Sequence, residues 1–298
     1  MNDVLPASQW RALAQAHAER VDTWLEPHLD RRQSGVKHPV HDFLFTYYSY
    51  RPAQLRRWHP GFGVGLAEGA SYGEFKGYRV VDGVASVSPA FLEKQEQNLR
   101  GLRNLLRATL DRSPNFGCFG LHEWAMVYRL SEEETRHSAW PLRLGGAGTD
   151  DVVESHRIAC SHFDAYRFFT PPAVGLNTLS PGPGDRPEFE QPACLHAGMD
   201  LYKHAFRMMP LLPSSLVLEA FELAWDIRAL DMRASPYDLS GLPEADGEDW
   251  SPVQIETAEG KREYADLQRQ FSERAEPIRR RLIAECDRLL GVSGSLSR

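Results

Sequence analysis

Between positions 257 and 290 the apolar residues Tyr264, Leu267, Phe271, Ile278, Leu282 and Leu289 return at intervals close to a helical turn. That spacing places side chains on one face of an α-helix, so the segment folds as a helix with one buried side. The same period runs through SPAFLEKQEQNLRGLRNLLRATL, where Phe91, Leu92, Leu99, Leu102, Leu105 and Leu106 share a face. It appears again in Trp10, Leu13, Ala14, Val21, Trp24 and Leu25, behind Ser8, a residue suited to capping a helix, with His17 the one polar member of the stripe. Two further helices are predicted over 194–209 and 214–232. HPVHDFLFTYYSYRP reads as an aromatic helix closed by Pro52. LHEWAMVYRL is too short for its period to decide between helix and strand. GEFKGYRVVDGVASV alternates apolar and polar residues around Asp82-Gly83, the pattern of a β-hairpin. The Pro/Gly-rich stretch 171–187 reads as a long loop. The fold class is therefore mainly α with minor β: a multi-helix domain with a small hairpin, spanning 1–298 as one globular unit.

With 42% hydrophobic residues and a formal net charge of −7, the chain has no generally basic surface, and nucleic-acid contact would need a local basic strip. No run approaches the roughly 20 apolar residues of a membrane span. The start, MNDVLPASQWRALAQ, lacks the basic and then apolar blocks of a secretory signal. Cys118, Cys160, Cys194 and Cys286 are scattered, with no C-x-x-C pair, as expected of free thiols in a reducing cytoplasm.

The informative residues are ionisable groups set in apolar sequence: His41 and Asp42, His122 and Glu123, His162 and Asp164, and the trio His196, Asp200 and His204. Desolvating an ion costs several kcal/mol, so such groups pair with one another or line a cavity. Clustered titratable groups in a partly dry site suit chemistry. His196, Asp200 and His204 fall four residues apart each time, on one helical stripe. They form a candidate ligand set for a divalent ion, non-haem iron, manganese or zinc, in an enzyme acting on a small molecule, with His122, Glu123 or His162 as added ligands. The competing reading of the stripe is a polar network that fixes helix packing. A nucleophile elbow of the form G-x-S-x-G is absent. GFGVG follows a proline and reads as a plain loop. LGGAGTDDVVES is similar to the turn of a helix–hairpin–helix element, although a loop capping a helix at Thr149 or Asp150 also accounts for it. TYYSYRPAQLRRWHP gathers Tyr47, Tyr48, Arg51, Arg56, Arg57 and Trp58 into a strip that can hold phosphates and stack on bases, or equally a core helix with its arginines pointing outward.

HDFLFTYYSYRPAQLRRWHPG, FGCFGLHEWAMVYRL, ESHRIACSHFDAYRFFTPP, CLHAGMDLYKHAFR and DIRALDMRASPYDL together resemble an actinobacterial group generally labelled 3-methyladenine DNA glycosylase. The resemblance spans nearly the whole chain. It implies a cytoplasmic DNA-repair hydrolase that needs no cofactor and takes damaged DNA as its partner. An alkylated purine would be flipped out of the stack and its N-glycosidic bond hydrolysed. On that reading Asp164, Asp200, Glu123 and His196 are the catalytic candidates. Tyr47, Tyr48 and Trp124 would stack on the base, while Arg51, Arg56, Arg57 and Trp58 would hold the flanking strand.

Overall fold

The structure, a computed structural model, describes residues 3–135, 139–242 and 249–296. Among the described residues helices account for 58% and strands for 6%, which makes the fold mainly α with a minor β element.

The first strand, β1 (Asp3–Leu5), leads into α1 (Ala7–Gln33). Pro6, and not Ser8, occupies the N-cap position, with no side-chain cap. The expected stripe is buried at Trp10, Val21 and Leu25, and the interrupting His17 meets the Leu55 carbonyl at 2.8 Å. The aromatic segment forms two short pieces, α2 (Phe43–Thr46) and α3 (Pro52–Arg56), instead of one helix. Two causes break it. The Asp42 carboxylate accepts the His38 backbone N–H at 2.8 Å, and Ser49 sits at φ +54° between the pieces, so the chain turns there.

Strands β2 (Val64–Leu66), β3 (Tyr78–Val81) and β4 (Val84–Val87) complete a sheet of order β1-β2-β4-β3. β1 runs parallel to β2, and the other pairs are antiparallel. Asp82 and Gly83 join β3 to β4 with φ of +50° and +77°, the left-handed pair that a two-residue hairpin requires.

Ser88 caps α4 (Pro89–Asp111) by accepting the Phe91 N–H at 3.2 Å. Single turns and short helices follow: α5 (Leu121–Ala125), α6 (Gly145–Ser155), α7 (Phe163–Tyr166), α8 (Pro171–Val174) and α9 (Arg186–Phe189). The segment read as one loop over 171–187 thus carries α8 and the start of α9. The long helices are α10 (Leu195–Arg207), α11 (Ser214–Arg233) and α12 (Ala258–Leu296).

Helix α10 packs along α11, α4 along α12, and α12 also touches α10 and α11. Gly198 permits the first of these contacts, because a Cβ there would lie 2.8 Å from Ile227 Cδ1. Nearly every residue of α10 is buried, including Leu201, Tyr202, Asp200 and Lys203, as expected of a helix with neighbours on all sides. Among the described residues no helix is long and apolar enough to cross a membrane.

Candidate active site

α10 carries polar groups into the centre of the bundle, and two ionic groups assemble around it. The first joins α5, α10 and α11. His122 Nε2 lies 2.9 Å from Asp231 Oδ1, and Arg228 donates to Asp231 Oδ2 at 2.7 Å and to Glu123 Oε1 at 3.1 Å. The Arg228 guanidinium also stacks 3.9 Å over the Phe43 ring. His196 stands at right angles to His122, with ring centroids 4.5 Å apart.

The second group centres on Asp200. Its Oδ2 accepts from Arg186 at 2.6 Å and Lys203 at 2.7 Å, and its Oδ1 accepts from the Tyr48 hydroxyl at 3.2 Å. Arg186 also pairs with Glu190, and Lys203 with Asp164 at 2.8 Å. His162, fully buried, lies 3.3 Å from Asp200 Oδ2 and 3.5 Å from Glu190 Oε1. The rings of His162 and His196, 5.3 Å apart, connect the two groups.

The environments separate the protonation states. Burial alone would raise the pKa of Asp200, but nearby His162 and Lys203 hold it well below the usual carboxylate range. Asp231 behaves alike: burial raises it, and His122, His196 and Arg228 together lower it. Burial and the charge of Asp231 push Glu123 up. At Asp164 burial is outweighed by the hydrogen bond and charge of Lys203, so this carboxylate is lowered and ionised. Burial drives His196 well below its ordinary value, leaving it neutral.

Both groups border a pocket of about 380 Å³. Phe43, Tyr47, Met126 and Phe168 form its apolar walls; Lys37, Glu123, Asp164, His196 and Arg228 supply its polar ones. Phe43 and Tyr47 stack in near-parallel planes 4.8 Å apart. On the other side of His196 lies a cavity of about 10 Å³, lined by His122, Cys118, Cys160 and Cys194 among others. That is room for about one water. The four cysteines are free.

Of the residues expected from sequence, Glu123, Asp164, His196 and Tyr47 meet at the pocket, with Asp200 and Tyr48 in the group behind it. The remaining expectations require correction. His204 does not join His196 and Asp200 around one ion; it lines a separate groove with Lys76, Gln95 and Arg207. Eight residues along a helix advance about 12 Å, so a shared face does not bring the two histidines to one point. Trp124 is fully buried, its indole N–H donates to the Ala234 carbonyl at 2.9 Å, and it presents no face to a guest. The basic–aromatic strip divides at the Ser49 turn. Arg51 is exposed at the start of α3, Arg56 is held by Asp22 at 2.7 and 2.8 Å, Arg57 lies 3.5 Å over Phe75, and Trp58 packs beside Trp10 and Tyr72. The glycines of LGGAGTDD open α6 itself, Thr149 and Asp150 lie inside that helix, and the helix packed against it is the single turn α5, about twenty residues upstream, where a helix–hairpin–helix needs one joined to it by a short turn.

Comparison of the chain with family models, curated proteins and solved structures finds no match. The site therefore rests on its own chemistry. Arg186, Glu190, Lys203, Arg228 and Asp231 were not singled out by sequence. A usable signal was present for three of them: Arg228 and Asp231 sit three apart among the apolar residues Ile227, Ala229, Leu230 and Met232, and Lys203 follows Asp200 by three.

Proposed function

We propose that the protein is a DNA-repair hydrolase that removes an alkylated purine such as 3-methyladenine by cleaving its N-glycosidic bond. The observation that carries this reading is the ionised Asp164 carboxylate at the wall of a pocket faced by Phe43, Tyr47 and Phe168. An alkylated purine is a flat cation, and aromatic faces attract flat cations. The positive charge makes the base a good leaving group, so the enzyme has two tasks: holding the flipped nucleotide and stabilising the sugar as the C1′–N bond opens.

Asp164 is suited to the second task. Its charge faces the developing oxocarbenium ion, and it accepts a proton from the water whose oxygen joins C1′ while the base departs neutral. Lys203 and Arg167, 2.8 and 3.3 Å from its oxygens, keep it ionised and fixed in direction. Lys37 at the pocket and the exposed Arg167 beside it are placed to meet flanking phosphates. A protein acting on chromosomal DNA would work in the cytoplasm.

The test is release of 3-methyladenine from alkylated duplex DNA. Asp164→Asn is expected to lower the single-turnover rate by roughly 100-fold, the scale of losing one charge-stabilising group. Tyr47→Ala is expected to weaken binding of the flipped base, since a stacking ring contributes ~1–3 kcal/mol. Wild-type protein that releases no alkylated base, or an Asp164→Asn variant as fast as wild type, rejects the reading.

A further inference from the structure

His122 comes from α5, His196 from α10 and Asp231 from α11, and one donor atom of each lies within 4.8 Å of the other two. The two rings meet edge to face at 85°, so they converge and do not stack. Both border the cavity of about 10 Å³ beside them. Asp231 divides its oxygens: Oδ2 is taken by Arg228 and Oδ1 faces His122. A carboxylate held on one oxygen while the other faces an imidazole, with a second imidazole within 4.8 Å, resembles a ligand oriented by an outer partner.

A second trio, His162, Glu190 and Asp200, also has its donor atoms within 4.8 Å. There the positive charge is already supplied. Arg186 and Lys203 both sit on Asp200 Oδ2, the oxygen nearest His162, and Arg186 occupies the Glu190 oxygen as well. An ion placed there would be repelled by two fixed cations at contact distance. The comparison selects the first trio.

We infer that His122, His196 and Asp231 form a binding site for one divalent first-row transition ion of the zinc, iron or manganese class. Two imidazoles and one carboxylate are the donor set these ions accept while leaving positions for water or substrate. His196 also borders the larger pocket, so an ion held there adjoins the place where a guest sits. The inference does not rest on the proposed base release, and a chain that releases no purine can still bind the ion.

The experiment titrates metal-stripped full-length protein with cobalt(II), read by visible absorption, and with zinc(II), read by calorimetry. One ion per chain is expected. His196→Gln and His122→Gln should each weaken binding by more than ~100-fold, because losing a ligand exceeds the ~10–100-fold that outer partners contribute. His196, partly exposed at the pocket wall, is the deciding position, and circular dichroism confirms that its variant is folded. Asp164→Asn and His162→Gln should leave binding unchanged. Failure of the wild type to bind a stoichiometric ion overturns the inference. So does loss of binding in His162→Gln with retention in folded His196→Gln.

Discussion

The two ionic groups around α10 lie one histidine apart, yet they balance their charge differently. Asp200 holds Arg186 and Lys203 on a single oxygen and a tyrosine on the other. Asp231 and Glu123 share one cation, Arg228, and His122 supplies the remaining contact. Each buried ion costs several kcal/mol in lost hydration, repaid only when its partners are well placed. The Asp200 group, with two cations on one carboxylate oxygen, acts as a clamp: it ties α7, α9 and α10 together. In the Asp231 group one cation serves two carboxylates, and a group so arranged is suited to accept a proton, a substrate charge or an ion.

The sharpest way to break this contrast is to remove one cation from each side. Arg228→Met leaves Glu123 and Asp231 facing one another in the core and is expected to cost about 3–5 kcal/mol in denaturant unfolding. Lys203→Met is expected to cost less, ~1–3 kcal/mol, because Arg186 still holds Asp200. Equal losses would show that the groups are equivalent.

Histidines extend the comparison to protons. His122, beside Asp231, is raised although burial opposes it, whereas burial, with the charge of Arg57 adding to it, pushes His59 down to about 3. The unfolded chain protonates His59 below its ordinary value near 6.5, and the folded chain resists until about 3. Stability contributed by its neutrality is therefore complete above pH 6.5 and declines as pH falls towards 3, by up to ~1.4 kcal/mol per pH unit. Melting temperature followed from pH 7 to pH 4 should drop less steeply in His59→Asn than in wild type. A surface pair sets the lower end of the scale. Arg20 meets Glu222 at 2.7 and 2.9 Å but is 62% exposed, and Arg20→Ala is expected to change unfolding free energy by only ~0–1 kcal/mol.

Much of the scaffold could be read from residue order. The helical period located α4, α10, α11 and α12, and Asp82-Gly83 located the hairpin. The aromatic segment was misread because its break depends on distant partners: Asp42 is held by His28 at 2.8 Å and Arg31 at 2.7 Å, both from α1. For the site, ionisable groups among rings singled out Glu123, Asp164 and His196, which the fold brings to one pocket. The cations were missed because lysine and arginine on helices ordinarily reach solvent, and an acid three residues away from Arg228 or Lys203 fits an exposed pair as well as a buried one. Arg186 and Glu190 lay at the edge of a stretch that reads as loop, and only tertiary packing brings them beside His162. The error at His204 is of another kind: periodicity reports direction around a helix axis and is blind to distance along it.

The burial of most of α10 also determines how this protein can be altered. Substitutions along that helix share neighbours, so their effects will be coupled and pairs of changes will not add. Phe43, Tyr47 and Phe168 stand apart from it on short, half-buried segments. Selection or engineering for a different guest has its freest hand with Tyr47 and Phe168, whereas Phe43 also braces the Arg228 guanidinium behind it.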